Sequence, residues 1–407
     1  MTMHIAGAGC CLMDLLYPEV DFSTPAFAAV RTRREGDGGL APGRLVFAED
    51  AKRFSGRPFP ETLAAILGGK PVPEAANVGG PSIVALVHAS QMLEGEDVSV
   101  AYYGATGDDA VGAEIRSKLS RTSVDLSRLE TREGRTPSTQ VLSDPDWDGG
   151  RGERCFVNEI GAAAAYGPEN LAEDFFDGDI VALGGTALVP RMHEGLPGIL
   201  ARARSRGAFT FVNTVFDFRA ERRDGVGAWP LGGSPPCGLS PGPGPAESYH
   251  SCDLLVMDRD EALRLSGERE LERALRFFAS SGVGAFAVSR GGDPVLAWAG
   301  EGRFAPLPLR ELLVSERASL ERKRDRGRGD TTGCGDNFAG GILASLALQM
   351  KAAAGKLDLV EALSWGVAAG AFTLGILGGT YYESRPGEKR ALVASYREDW
   401  LEQQGAR

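Results

Sequence analysis

Short apolar runs alternate with helical patterns along most of this chain, and no other feature of the sequence restricts the fold as much. Runs at His4–Ala8, Val98–Tyr103, Ile180–Leu183, Phe209–Asn213, Leu254–Met257, Ala285–Ser289 and Val295–Ala299 read as strands. Helical patterns lie between them at Ile83–Leu93, Ala113–Leu119, Met192–Ser205, Arg259–Ser266 and Leu271–Ala279. Such alternation predicts an α/β fold, with a mostly parallel sheet covered by helices on both faces. The last third changes to two long helices, Asn337–Ala354 and Leu359–Leu374. In the first of these Phe338, Ile342, Leu346 and Met350 recur every four residues, the spacing of a buried stripe.

With 407 residues the chain can bury a large core without disulfide or metal staples. Its net charge of −11 argues against nucleic acid as the main partner. Six cysteines (Cys10, Cys11, Cys155, Cys237, Cys252, Cys334) form no CxxC or Cys/His spacing and read as reduced thiols. The first residues have no cationic region and meet Asp14 early, so no signal peptide is expected. Ala362–Tyr382 carries no charge and has a Gly366/Gly370 pair, but its five glycines and many alanines favour a closely packed buried helix over a membrane span. These features together predict a cytoplasmic protein with no membrane partner.

Three segments break the rhythm. Tyr17–Ala75 is long and Pro-punctuated, and reads as an excursion or lid outside the main sheet. Its Phe22, Phe27, Phe47, Phe54 and Phe59 suit a satellite core or a dimer contact better than a base-stacking pocket. Leu231–Ala246 holds ten Gly or Pro in sixteen residues and reads as a surface loop. Arg317–Arg328, with six basic and two acidic residues, reads as a solvated loop; the alternative is that some arginines lean over an anionic ligand.

The strongest chemical signal is Gly329-Asp330-Thr331-Thr332-Gly333-Cys334-Gly335-Asp336-Asn337-Phe338-Ala339-Gly340-Gly341. Glycines leading straight into an amphipathic helix would leave the amides of Gly333, Cys334 and Gly335 bare, and a bare helix N-terminus attracts anions. Asp336 in the first turn could take a proton from a hydroxyl attacking a phosphoryl group. As a bare pattern the motif is equally that of a capped turn.

DTTGCGDNFAGG resembles the C-terminal signature of the ribokinase-like (PfkB) carbohydrate kinases, written DTxGAGDxF. The resemblance extends to Gly104-Ala105-Thr106-Gly107-Asp108-Asp109-Ala110-Val111-Gly112, Gly152-Glu153-Arg154, Gly161-Ala162 and Asp258-Arg259-Asp260-Glu261-Ala262, in the family's order. It implies a ribokinase-like central sheet flanked by helices, with a small β lid closing over a sugar. The kinase core would then comprise 1–16, 76–133 and 161–407, with lid and insertions at 17–75 and 134–160. It also implies ATP-dependent phosphorylation of an alcohol, with Mg²⁺ accompanying ATP.

Carried over by position, the resemblance makes Asp336 the catalytic base and Gly333, Cys334 and Gly335 the anion hole. Asp14, Gly79 and Gly80 would bind the sugar, and Arg219 a phosphate of either ligand. Ser289, Gly291 and Thr332 would line the nucleotide, and Asp258 and Glu261 would hold Mg²⁺ through water. Potassium is a possible further ion, at Asp330 and Thr332. The implied partners are a sugar-like small molecule and ATP, and a homodimer could form through the lid.

The chain departs from the family in three places. Pro81-Ser82-Ile83-Val84 stands where an Asn usually follows the glycine pair, Asp258 replaces the Asn of NxxE, and Cys334 replaces the usual Ala. At a helix N-terminus that thiol would be a candidate for oxidation. Gly7-Ala8-Gly9-Cys10-Cys11-Leu12 lacks the third glycine of a dinucleotide fingerprint, and Gly68-Gly69-Lys70-Pro71 is not a phosphate-binding P-loop. His4, His88, His193 and His250 are scattered and mark neither a metal cluster nor a triad. Three readings remain: a sugar kinase, a nucleoside kinase of the same fold, or a silent binding module.

Overall fold

The computed structural model describes residues 2–34, 36–150, 152–214, 228–232, 247–324, 331–352 and 355–405. Its strands, in chain order, are β1 (Met3–Gly9), β2 (Leu12–Tyr17), β3 (Leu45–Phe47), β4 (Ala75–Gly79), β5 (Val98–Gly107), β6 (Leu129–Arg132) and β7 (Ser138–Asp144). They continue with β8 (Glu153–Glu159), β9 (Ile180–Gly184), β10 (Phe209–Asn213), β11 (Leu254–Asp258), β12 (Ala285–Arg290), β13 (Asp293–Ala299) and β14 (Leu307–Leu312). The helices are α1 (Pro25–Val30), α2 (Ala48–Ser55), α3 (Phe59–Leu67), α4 (Pro81–Met92), α5 (Ala110–Leu119) and α6 (Pro190–Ser205). After them come α7 (Arg259–Ser266), α8 (Leu271–Ser280), α9 (Glu316–Arg324), α10 (Cys334–Lys351), α11 (Leu359–Thr373) and α12 (Glu388–Gly405).

The larger sheet has the order β14-β13-β12-β11-β10-β9-β1-β5-β6 among the described residues. From β12 to β6 every pair is parallel, and at one edge only β13 is reversed, pairing antiparallel with both β12 and β14. Strand alternation sorts side chains between two cores. Ile5, Val100, Tyr102, Ile180, Phe209, Phe211 and Val256 join the core that holds Phe338 and Ile342 of α10 and Leu363 of α11. Ala6, Ala8, Val181, Leu183, Val212 and Met257 join the core that holds Leu196 of α6 and Phe278 of α8. Burial on both faces is why these strands read as continuous apolar runs.

The second sheet, β3-β8-β7-β2-β4, is assembled from pieces far apart in sequence. β2 and β4 pair antiparallel while β2 and β7 pair parallel. Strands β2, β4, β7 and β8 were not expected from the sequence. They are short; β2 and β4 find partners far along the chain, β2 pairing with β7 across more than 120 residues, while β7 and β8 pair antiparallel across the short 145–152 connection without a clear alternating pattern.

The chain crosses between the sheets at tight points. Cys10 and Cys11 join β1 to β2, and Gly80 joins β4 to α4. Gly80 has φ +107, and a Cβ there would lie 2.6 Å from the Cys10 carbonyl oxygen, so the two crossings press backbone on backbone. At another crossing Asp109 accepts from the Gly112 amide at 2.9 Å, capping α5, and from the Thr136 amide at 3.0 Å. The aspartate of the Gly104–Gly112 motif therefore fastens the return of the chain toward β7.

The Tyr17–Ala75 segment forms α1, β3, α2 and α3 around its own cluster, with Phe22, Phe27 and Phe59 buried beside Tyr17, Val20 and Leu63. Phe22 and Phe27 stack at 4.3 Å between centroids, so they fill a satellite core. The expected solvated loop at Arg317–Arg328 is instead helical through Arg324, with 325–328 outside the described residues. Arg317 pairs with Glu321 one turn along α9, and α12 packs alongside to supply Asp399 as a second partner and the Tyr396 ring beneath it. The uncharged Ala362–Tyr382 stretch begins in α11, where a Cβ on Gly366 would meet Ile342 at 2.8 Å. Among the described residues no helix is long and apolar enough to cross a membrane. Cys10, Cys11, Cys155 and Cys252 are buried and unbridged, and Cys334 is half-buried and unbridged. Most of the Leu231–Ala246 stretch lies outside the described residues.

Candidate active site

A cavity of about 270 Å³ opens between the two sheets, beyond the carboxyl ends of the parallel strands. The main sheet's side supplies Asp258, Asp260, Glu261 and Arg264 from the start of α7, and Thr332, Gly333 and Asp336 from the start of α10. The second sheet contributes Leu12, Asp14, Leu45, Thr139, Arg154 and Phe156.

At the α10 end the N-cap is Gly333, with φ +76 and no side-chain cap. A Cβ there would sit 2.3 Å from the Cα of Gly379, so this turn admits only glycine. Around Gly335 a Cβ would meet nothing within 4 Å, so its backbone faces open space. One expected bare amide is partly spoken for: Cys334 N–H donates to the Thr331 carbonyl at 3.3 Å, because the chain tightens into a turn before the helix. Gly333 and Gly335 remain as amides without an acceptor among the described residues.

Asp336 is the third helical residue. Burial pushes its carboxyl up to about 6, against the pull of the Asn213 side-chain hydrogen bond and the Arg154 charge. Asn213 ends β10, so a core strand aims the partner of this carboxylate. A carboxyl near 6 is ionised at neutral pH yet basic enough to accept a proton.

Asp14 is buried in β2 and lies two residues along from the Leu12↔Gly79 pairing with β4. A Cβ on Gly79 would fall 1.9 Å from Asp14 Oδ2. Gly79 thus makes room for the Asp14 carboxylate, while Gly80 makes the crossing; only Gly80 lines the cavity. Arg154 projects from β8, its Nη1 donating to Thr332 Oγ1 at 3.2 Å and its guanidinium lying 5.0 Å over the Phe156 ring. It is the second sheet's cation at the α10 end.

Asp258 and Glu261 form a reciprocal capping box at α7. The Glu261 amide donates to Asp258 Oδ1 at 2.8 Å and the Asp258 amide donates to Glu261 Oε2 at 2.8 Å. Ser289 pairs in register with Asp258 on the neighbouring strand, and Gly291 makes the β12–β13 turn at φ +62. Neither Ser289 nor Gly291 lines the cavity. Arg219 and Asp330 fall outside the described residues.

Sequence reasoning missed two residues of this site. Arg154 stood inside a quoted motif with no role attached, and Asn213 carried only the signal of a polar residue closing a core strand. No group of three or more His, Cys, Asp or Glu able to hold a metal occurs among the described residues.

Residues 243–384 match the family model described as pfkB family carbohydrate kinase. No curated protein sequence matches. Among solved structures, the adenosine kinase from Schistosoma mansoni in complex with 2-fluoroadenosine superposes with a TM-score of 0.67 at 15% identity, covering 94% of this chain and 98% of that one. The adenosine kinase from Sinorhizobium meliloti gives 0.65 at 18% identity, covering 98% and 99%. A probable sugar kinase from Rhizobium etli CFN 42 gives 0.64 at 17% identity, covering 97% and 100%. The fold expected from the motifs is therefore the fold of this chain, and the family resemblance read from them is found again by the family model.

Proposed function

We propose that this chain, a pfkB-type carbohydrate kinase by its matched segment and its fold, transfers the γ-phosphoryl group of ATP to a hydroxyl of a sugar or sugar derivative. The observation that carries the reading is the open α10 N-terminus with a carboxyl of raised pKa in its first turn, facing a cavity that Asp14 enters from the other side. Asp14 would accept hydrogen bonds from substrate hydroxyls and orient one toward Asp336. As that hydroxyl oxygen bonds to the γ-phosphorus, its proton passes to the Asp336 carboxylate and the bond to the ADP oxygen breaks. The Gly333 and Gly335 amides would stabilise charge on the transferring group, and such a donor is typically worth ~10²–10³ in rate. Arg154 would bring a positive charge to the same group from the second sheet, which supports catalysis when the two sheets face one another.

Asp258 and Glu261 each commit one oxygen to the capping box, and both line the cavity together with Asp260. An oxygen-only donor set suits Mg²⁺ held through water on the phosphates. Bound there, the ion would neutralise charge on the β- and γ-phosphates. Ser289 and Gly291 would flank the nucleotide beyond Asp258. The apolar wall of Leu12, Leu45, Phe156 and Leu188 is what favours a nucleoside as the second candidate substrate, since it offers surface for a base. The same reading gives a cytoplasmic enzyme acting on small molecules, with the lid as the place to look for a dimer.

The test is ADP release from ATP and Mg²⁺ across sugars, sugar acids and nucleosides, with Asp336→Asn as control. Loss of the base should cost ~10²–10⁴ in rate while ATP binding persists. Wild-type turnover in the variant would refute the assignment.

A further inference from the structure

Asn337, the residue after the proposed base, is fully buried, and its side-chain amide makes four hydrogen bonds. Nδ2 donates to the Gly333 carbonyl at 2.9 Å and to the Gly379 carbonyl at 2.8 Å. Oδ1 accepts from Lys389 Nζ at 3.0 Å and pairs with His88 Nδ1 at 2.7 Å. Exchanging the amide's oxygen and nitrogen would set oxygen against two carbonyls and NH₂ against an ammonium, so this orientation is fixed. It also fixes His88 as the Nδ1–H tautomer. Its Nε2, which has no hydrogen-bond partner, then carries only a lone pair, and burial holds its pKa well below the usual value.

The two carbonyls that Asn337 holds belong to the glycines whose backbones touch at the α10 N-terminus. Gly379 is tied further to the second sheet. Asn77 Nδ2 donates to the Leu377 carbonyl at 3.3 Å and to the Thr380 carbonyl at 2.9 Å, and Thr380 Oγ1 donates to the Val78 carbonyl at 2.6 Å. Asn77 stands opposite Asp14 in the β2–β4 ladder. One polar chain thus runs from the strand facing Asp14, through Gly379 and Asn337, to the turn at Gly333.

Lys389 comes to this point from the start of α12 and is 1% exposed. Its acceptor among the described residues is Asn337 Oδ1. Burial pulls its ammonium down to about 7 in spite of Glu383 nearby. An amine there costs more than an apolar side chain of equal length, so filling space does not explain it. We propose that Lys389 is a positioning residue for the phosphate-binding turn: by holding Asn337 Oδ1 it keeps Nδ2 clamped on Gly333 and Gly379, and so keeps the Gly333 and Gly335 amides aimed into the cavity. The proposal rests on the kinase reading for its kinetic consequence but not for its geometry.

The test is Lys389→Met, of similar length without the donor, beside Lys389→Gln, whose amide can donate to the same oxygen. For Lys389→Met, kcat should fall ~10–100-fold, as expected when a reacting group is misplaced. KM for the sugar and the affinity for ADP alone should stay within about twofold, while aluminium fluoride should no longer tighten ADP binding, since that mimic of the transferring group needs the aimed amides. Lys389→Gln should recover part of kcat, and it carries the test if the Met variant does not fold. Parallel losses in kcat and ADP affinity, or a Met variant with wild-type kcat, would overturn the proposal. If the wild type transfers no phosphoryl group and shows no fluoride effect, the kinase reading falls. The amide resonances of ¹⁵N-glycine-labelled protein then decide Lys389: shifted Gly333 and Gly335 signals in the Met variant uphold its positioning role, and unshifted ones remove it.

Discussion

Two helix N-termini face the same cavity, and they are finished in opposite ways. At α7 the acid in the third helical position, Glu261, turns back to cap the backbone of Asp258, and Asp258 returns the bond. At α10 the acid in the equivalent position, Asp336, is aimed into the cavity and bonded to Asn213, while a glycine occupies the cap. A satisfied N-terminus stabilises its helix but has little left for a ligand. An unsatisfied one gives up that stability and keeps donors and dipole for an anion. On the proposed function, this difference is what gives phosphate binding to α10 and a hydrated cation to the carboxylates of α7.

Closing the open end should have the largest effect. Gly333→Ala forces a Cβ to 2.3 Å from Gly379 at a positive φ, and should lower stability by about 1–3 kcal/mol. Phosphoryl transfer should also fall by ~10²–10³. Thermal melts and ADP release read both, and a melting point and turnover like those of wild type would break the contrast between the two ends.

Next comes the proton. With the carboxyl of Asp336 at about 6, turnover should rise from pH 5 to 7 with its midpoint near 6. The stability effect has the opposite sense. The folded carboxyl holds its proton more tightly than the unfolded one, so stability present below about pH 4 is lost as pH rises through about 6. Asp336→Asn should accordingly melt higher than wild type at pH 8 and show a smaller gain at pH 4. An equal gain at both pH values would place the effect elsewhere.

At the capped end the changes should be smaller and separable. Asp258→Ala removes the cap and should cost ~1 kcal/mol. Asp258→Asn keeps a capping oxygen and should leave stability within about 0.5 kcal/mol, so any rise in KM for magnesium-ATP reports the carboxylate charge alone. A drop in stability as large as that at Gly333 would show that α7 is the more finely balanced terminus. Cys334→Ala should matter least, with turnover within about twofold and stability within ±0.5 kcal/mol, because alanine is the residue that usually stands at this place in the motif it resembles. A large loss of activity would return the thiol to the chemistry.

The legibility of the two sides of the cavity differed for a physical reason. The α10 end was readable because a glycine turn, an acid and a helix stripe are contiguous, and each is a local demand. The parallel strands were readable because burial on both faces leaves an apolar run. The second sheet was not: β2 and β7 pair across more than 120 residues, and their alternation is too short to stand out. Gly79 shows the same limit. Its sequence position marks a tight backbone, yet its Cβ is excluded by the carboxylate of Asp14 on a paired strand.

By itself the sequence determined a parallel α/β core, a glycine turn opening a long helix, and an acid in its first turn, since these depend on periodicity and on neighbours within a few residues. Tertiary structure alone decided that burial raises the pKa of that acid against the pull of Asn213 and Arg154, and that Asn337 and Lys389 hold the turn. The contacts of Asp336 with Asn213 and Arg154, and of Asn337 with Lys389, join residues tens to hundreds of positions apart, and only the packed chain brings them together; the Asp258–Glu261 box is local, and what tertiary structure adds there is its place on the cavity wall.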